Sequence, residues 1–62
     1  MTITEALKAG KIDRIVNGNT WLVWDLYVFK FMVYHHEKYG RLPHVLLETD
    51  NEEEAVAMLI RN

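Results

Sequence analysis

The chain has no cysteine, a single proline and only three glycines, and it lacks serine and glutamine altogether. Without cysteine there is no disulfide, no thiolate ligand and no sulfur nucleophile. Without serine, covalent catalysis is left to threonine, lysine or a carboxylate, and none of these stands in a motif. Gly10, Gly18 and Gly40 are isolated, so no glycine-rich loop can cradle a phosphate. The longest apolar run is broken at Asp25 and Lys30 and falls far short of the ~20 residues of a membrane span. The N-terminal MTITEALKAGK is amphipathic, with no basic segment ahead of an apolar core, and does not read as a secretory signal. Positive charge is not in excess either. The formal net charge is −2, whereas a free-standing nucleic-acid binder carries a basic stripe. These absences lead to the expectation of a cytoplasmic protein with no membrane segment, no cofactor, no metal and no enzymatic activity.

Sixty-two residues make a single domain, 1–62. A domain of that size buries only about 60% of its unfolded surface. With no disulfide it needs an efficient core, a partner or self-association.

What the chain has, it concentrates. Residues 20–39 hold both tryptophans, both phenylalanines and all three tyrosines. Around this stretch the local patterns place the elements. Thr2 and Glu5 have capping-box spacing, and Ile3, Ala6 and Leu7 share a helical face, which predicts a helix over 2–9 stopped at Gly10. Asn17-Gly18 signals a type I′ hairpin between strands 12–16 and 20–25, with a helical turn over 11–17 as the alternative. A tight turn at Asp25–Tyr27 starts a third strand at about residue 28 that runs to 36. Residues 37–43 read as a loop punctuated by Gly40 and Pro43. Residues 44–49 form the fourth strand. Thr49 or Asp50 then caps a C-terminal helix whose first turn holds Glu52, Glu53 and Glu54 and whose buried stripe is Ala55, Val56, Leu59 and Ile60.

The predicted fold is α+β: a short N-terminal helix, a four-stranded antiparallel meander, and a C-terminal helix packed on the sheet. Alternation assigns Phe29, Phe31, Val33 and His35 to the core face of the third strand. In the second strand neither face is polar. Either the helices cover opposite faces, or one face is left for another molecule. Leu22, Trp24, Met32 and Tyr34 are assigned to that unexplained face. With Arg41 and the acidic Glu52 and Glu53 they form the expected partner-binding set, since aromatic residues and arginine dominate binding hot spots.

Three other clusters have ordinary explanations beside functional ones. His36 and His44 could meet across strands, with Glu37 and Glu48 as further ligands for zinc, or they are strand-end histidines. Glu48, Asp50, Glu52, Glu53 and Glu54 could dock on a basic partner or mimic nucleic-acid phosphates, but acids also belong at a helix start. Lys30, Lys38 and Arg41 with Tyr34, Tyr39 and His36 could line a sheet that contacts nucleic acid. Three strands followed by the helix start at Thr49–Ala55 resemble the arm-type DNA-binding modules of integrases and the related plant AP2-type domain. That resemblance implies a sheet laid in a DNA groove. Those modules carry several basic residues on the sheet, and here the fourth strand is aliphatic and acidic.

The functional expectation is a non-enzymatic protein-binding regulator or inhibitor, of the kind that phages and mobile elements direct at host proteins. It would use an apolar, aromatic sheet face and an acidic patch. The alternatives are a nucleic-acid-binding module and a structural homo-oligomer such as a homodimer.

Overall fold

A computed structural model describes residues 2–37 and 42–61. The element order is α1 (Ile3–Lys8), β1 (Ile15–Asn17), β2 (Thr20–Asp25), β3 (Lys30–His35), β4 (His44–Thr49) and α2 (Glu52–Arg61). The strands form one antiparallel sheet in the order β1-β2-β3-β4. The α+β meander with its two flanking helices is the fold expected from the sequence. No helix among the described residues is long and apolar enough to cross a membrane.

The helix α1 is short and closed at both ends. The Glu5 amide donates to Thr2 Oγ1 at 3.1 Å. At the other end Gly10, at φ +76, lets its own amide reach the Leu7 carbonyl and the Lys11 amide reach the Ala6 carbonyl, at 3.2 and 3.0 Å. This paired closure satisfies carbonyls that would otherwise lack partners. The buried residues of α1 are Thr4 and Leu7. Ile3, expected on the docked face, is exposed.

The first hairpin is shorter than its apolar spacing suggests. Residues 11–13 form bends and the strand begins at Ile15. Asn17 pairs with Thr20, so the central turn residues are Gly18 and Asn19, not Asn17 and Gly18. Gly18 has φ +62 and Asn19 is not in the positive-φ region, the pattern of a type II′ turn. Asn17 serves elsewhere: its Nδ2 donates to the Leu59 carbonyl at 2.8 Å and satisfies one of the open carbonyls at the end of α2.

The second turn also differs. Its loop is Leu26–Phe29, one residue longer than a turn at Asp25–Tyr27. The Tyr27 amide donates to Asp25 Oδ1 and the Phe29 amide to the Asp25 carbonyl, both at 2.8 Å. Phe29 closes the loop at φ +55, a conformation that glycine or asparagine usually supplies.

Both helices lie on one face of the sheet. Leu7 from α1 and Ala55 and Leu59 from α2 close over Leu22, Phe31 and Val33 to make the buried core. The Trp24 ring meets Phe31 edge-on at 4.8 Å, and the Lys8 ammonium lies over both rings at 4.8 and 5.2 Å. Thr20 is fully buried, and its Oγ1 is 2.9 Å from His35 Nδ1, so no polar atom is left unmatched there. A register shift opposite Val33 and Tyr34 leaves Leu46 outside the ladder. Both Leu46 and Leu47 then pack toward the core, although neighbours on a regular strand point apart.

The cap of α2 is Asn51, rather than Thr49 or Asp50. Asn51 Oδ1 accepts from the Glu54 amide at 3.1 Å. Thr49 braces this cap, accepting from the Asn51 amide at 3.0 Å and donating to Glu54 Oε1 at 2.9 Å. The inward stripe is Ala55 and Leu59, supported by Val56 and Met58. Ile60, expected in that stripe, is exposed.

Candidate protein-binding surfaces

With both helices on one side, no element among the described residues covers the opposite face of the sheet. The register defines its occupants. Val16 faces Trp21, Trp21 faces Tyr34, and Tyr34 faces Val45, giving one row across all four strands. In the next row Val23 faces Met32 and Met32 faces Glu48. Arg14, just before β1, extends that row, and its guanidinium lies 5.6 Å from the Trp21 ring centroid. Trp21 and Tyr34 stack at 5.9 Å with an interplanar angle of 20°, an arrangement that offset aromatic pairs favour. Asp25 opposite Lys30 forms the last row before the loop.

The loop beyond that row is an apolar, exposed run of four residues. Leu26, Tyr27, Val28 and Phe29 are 66, 96, 48 and 67% exposed. Hairpin loops of ordinary composition are rich in glycine, asparagine and aspartate, which suit the turn and water alike. Here a bulky aromatic residue holds the positive-φ position and all four side chains are apolar.

The acidic residues gather at the same end. Phe31 faces Thr49, so the start of β3, the end of β4 and the first turn of α2 lie together beside the loop. Asp50, Glu52, Glu53 and Glu54 are exposed there.

The partner-binding set expected from the sequence is therefore split. Leu22 is not on the open face: it faces Val33, is 0% exposed and belongs to the core. Trp24 is also on the helix side, half-buried against Phe31. Met32 and Tyr34 are on the open face, and Glu52 and Glu53 are in the exposed first turn of α2. Arg41 lies outside the described residues. Trp21, Val23, Arg14 and the loop Leu26–Phe29 were missed. The run of aliphatic and aromatic residues between Asp25 and Lys30 could have disclosed the loop, but it also reads as strand.

Of the histidines, it is His35, not His36, that faces His44, with ring centroids 5.7 Å apart. His36 is aligned instead with Asn19, whose carbonyl accepts from the His36 amide at 2.9 Å. Among the described residues no three histidine or carboxylate side chains are grouped to hold a metal. A shallow groove of about 200 Å³ lies between β4 and α2, lined by Leu47, Glu54, Ala57, Met58 and Arg61. It is smaller than the roughly 300–1,000 Å³ of small-molecule sites.

Comparisons with protein-family models, curated proteins and solved structures find no match for this chain.

Proposed function

We propose that this chain is a non-enzymatic protein-binding regulator or inhibitor whose hairpin loop Leu26–Phe29 enters an apolar pocket on its target. One observation carries this reading: four consecutive apolar side chains project into water from a loop closed by a phenylalanine at φ +55. Folding gains nothing from that arrangement. Left-handed backbone costs an L-residue roughly 1–2 kcal/mol, and exposed apolar surface gives no burial in return. Strain of this kind is retained where function requires it. The acids beside the loop define the rim of the pocket: Asp50, Glu52, Glu53 and Glu54 favour a target whose apolar pocket is ringed by lysine and arginine. The same acids oppose docking on an anionic membrane surface.

The alternative of a nucleic-acid-binding sheet has less support. The open face carries two cations, Arg14 and Lys30, and two anions, Asp25 and Glu48, with Asp25 opposite Lys30, so the described residues form no basic stripe there. Binding to duplex DNA that falls steeply with salt would favour that alternative.

The test is site-specific photo-crosslinking in cells. A photoreactive residue replaces Tyr27 in one variant and the exposed Asp13 in another. The expected result is one adduct formed from position 27, absent from position 13, and lost when Phe29→Gly or the pair E52K/E53K is added. Identical adducts from both positions, or an adduct indifferent to these substitutions, refute the reading.

A further inference from the structure

The open face has its own partner, and we infer that it is a second copy of this chain, packed face to face about a dyad parallel to the strands. This goes beyond the loop reading and uses different residues. The row Arg14, Val23, Met32, Glu48 places a cation at the β1 edge and an anion at the β4 edge, with apolar residues between them. A half-turn about an in-plane axis along the strands lays β1 of one copy over β4 of the other. Arg14 then meets Glu48 twice, and Val23 and Met32 cover each other. The neighbouring row behaves likewise: Val16 meets Val45, and the Trp21–Tyr34 stack meets its own counterpart. A half-turn about the axis across the strands instead lays β1 over β1 and leaves both charges unmatched. The charges thus select a single self-complementary arrangement, as an isologous interface requires.

The area suits a weak, transient dimer. Strands spaced about 4.8 Å apart, six residues long in β2, β3 and β4 and three in β1, give a footprint of roughly 350 Å² per copy, about 700 Å² for the two. This is below the standard size of specific interfaces and in the range of transient ones. Aligned sheet packing crosses the strands at about 30° with the sheets ~10 Å apart. Because the axis runs along the strands, both Leu26–Phe29 loops point the same way. They project from the central hairpin of each sheet, close to the dyad, so the dimer presents two loops side by side.

The experiment is sedimentation velocity on the full chain from about 1 µM to about 500 µM, with variants R14E and E48R. The expected result is a concentration-dependent dimer whose dissociation constant rises at least about tenfold in either variant, because each reversal creates two like-charge contacts. The double variant R14E/E48R regains the dimer. An equimolar mixture of the R14E chain and the E48R chain forms a mixed dimer, although neither associates well alone. Both residues are at the surface, and far-UV circular dichroism verifies that each variant is folded. A wild-type chain that stays monomeric throughout overturns the inference. So does a dimer that is insensitive to both reversals, or one that the double variant and the mixture fail to restore. Loop crosslinking at position 27 is read separately, so either proposal can fail alone.

Discussion

Replacing Leu22 by alanine, beside Val23 by alanine, tests the register on which every surface assignment depends. The two residues are neighbours on β2 and point to opposite faces. Leu22 is fully buried among Phe31, Val33, Leu7 and Leu59. Removing its branched end forfeits burial at about 0.8 kcal/mol per methylene. It also opens a cavity between strand and helix, for a total of about 3–4 kcal/mol. A 62-residue domain has a total stability of roughly 3–9 kcal/mol. Leu22→Ala therefore removes a third or more of what holds the fold together. At 4–8 °C per kcal/mol, the midpoint of thermal unfolding falls by roughly 12–30 °C. Val23 is half-buried on the open face, and its truncation leaves no internal cavity. About 1 kcal/mol or less is lost, mainly from strand packing and propensity.

The assay is far-UV circular dichroism through thermal and urea denaturation at low micromolar protein, where self-association contributes little. The ordering matters more than the absolute values: Leu22→Ala must be the severe substitution. Equal losses, or a greater loss from Val23→Ala, would mean that β2 presents its other face to the helices. The open-face rows would then be wrong, along with both binding proposals.

Four further substitutions have defined outcomes. Phe29→Gly relieves about 1–2 kcal/mol of left-handed strain against roughly 0.5–1 kcal/mol of added chain entropy; the unfolding midpoint should rise by a few degrees while loop crosslinking is lost, and a fall in the midpoint contradicts the strain argument. Asn17→Ala removes the 2.8 Å bond to the Leu59 carbonyl and should lower stability by about 1 kcal/mol in urea titration; an unchanged midpoint means the hairpin does not brace α2. Asn51→Ala deletes the α2 cap and should cost about 1 kcal/mol, whereas Asp50→Ala should cost less; the reverse order would restore Asp50 as the cap.

The legible parts of this fold are those with local signals. The fourth strand, residues 44–49, is bounded by Pro43 and an acidic helix start, and it is observed with those limits. The Thr2 cap and the Gly10 stop likewise follow from residue types that suit those positions. What was not legible depends on one residue of loop length. A turn over Asp25–Tyr27 puts Leu22 and Trp24 on the face of Met32 and Tyr34. The longer loop Leu26–Phe29 puts them with Phe31 and Val33 instead. Because strand side chains alternate, a single-residue change in the loop exchanges the faces completely. Both faces of β2 are apolar, so hydrophobic pattern could not arbitrate. The signal that normally marks such a loop, a glycine at the left-handed position, is replaced by Phe29. The shift that sends both Leu46 and Leu47 inward is equally hidden, since consecutive leucines are compatible with either register.

The placement of the aromatic residues is the strongest support for the two proposed associations. A chain this small has little interior to fill, and folding alone would favour burying its largest apolar side chains. Among the described aromatic residues, only Trp24 and Phe31 join the core. Trp21 and Tyr34 stack on the uncovered face, and Tyr27 and Phe29 stand at the loop tip. The exposed loop rings leave burial energy unused that a polar residue at the same position would not forgo, and the half-buried Trp21 and Tyr34 rings leave part of theirs. At Phe29 backbone strain adds to that loss. Chain folding supplies little compensation at either place, and the two proposed associations would supply it at both. The two places also differ in kind. The sheet face is broad and balanced in charge, which suits an identical surface. The loop is narrow, protruding and flanked by acids, which suits a pocket with a basic rim. A single partner is poorly matched to both shapes, whereas a dimer through the face leaves two loops free for a target.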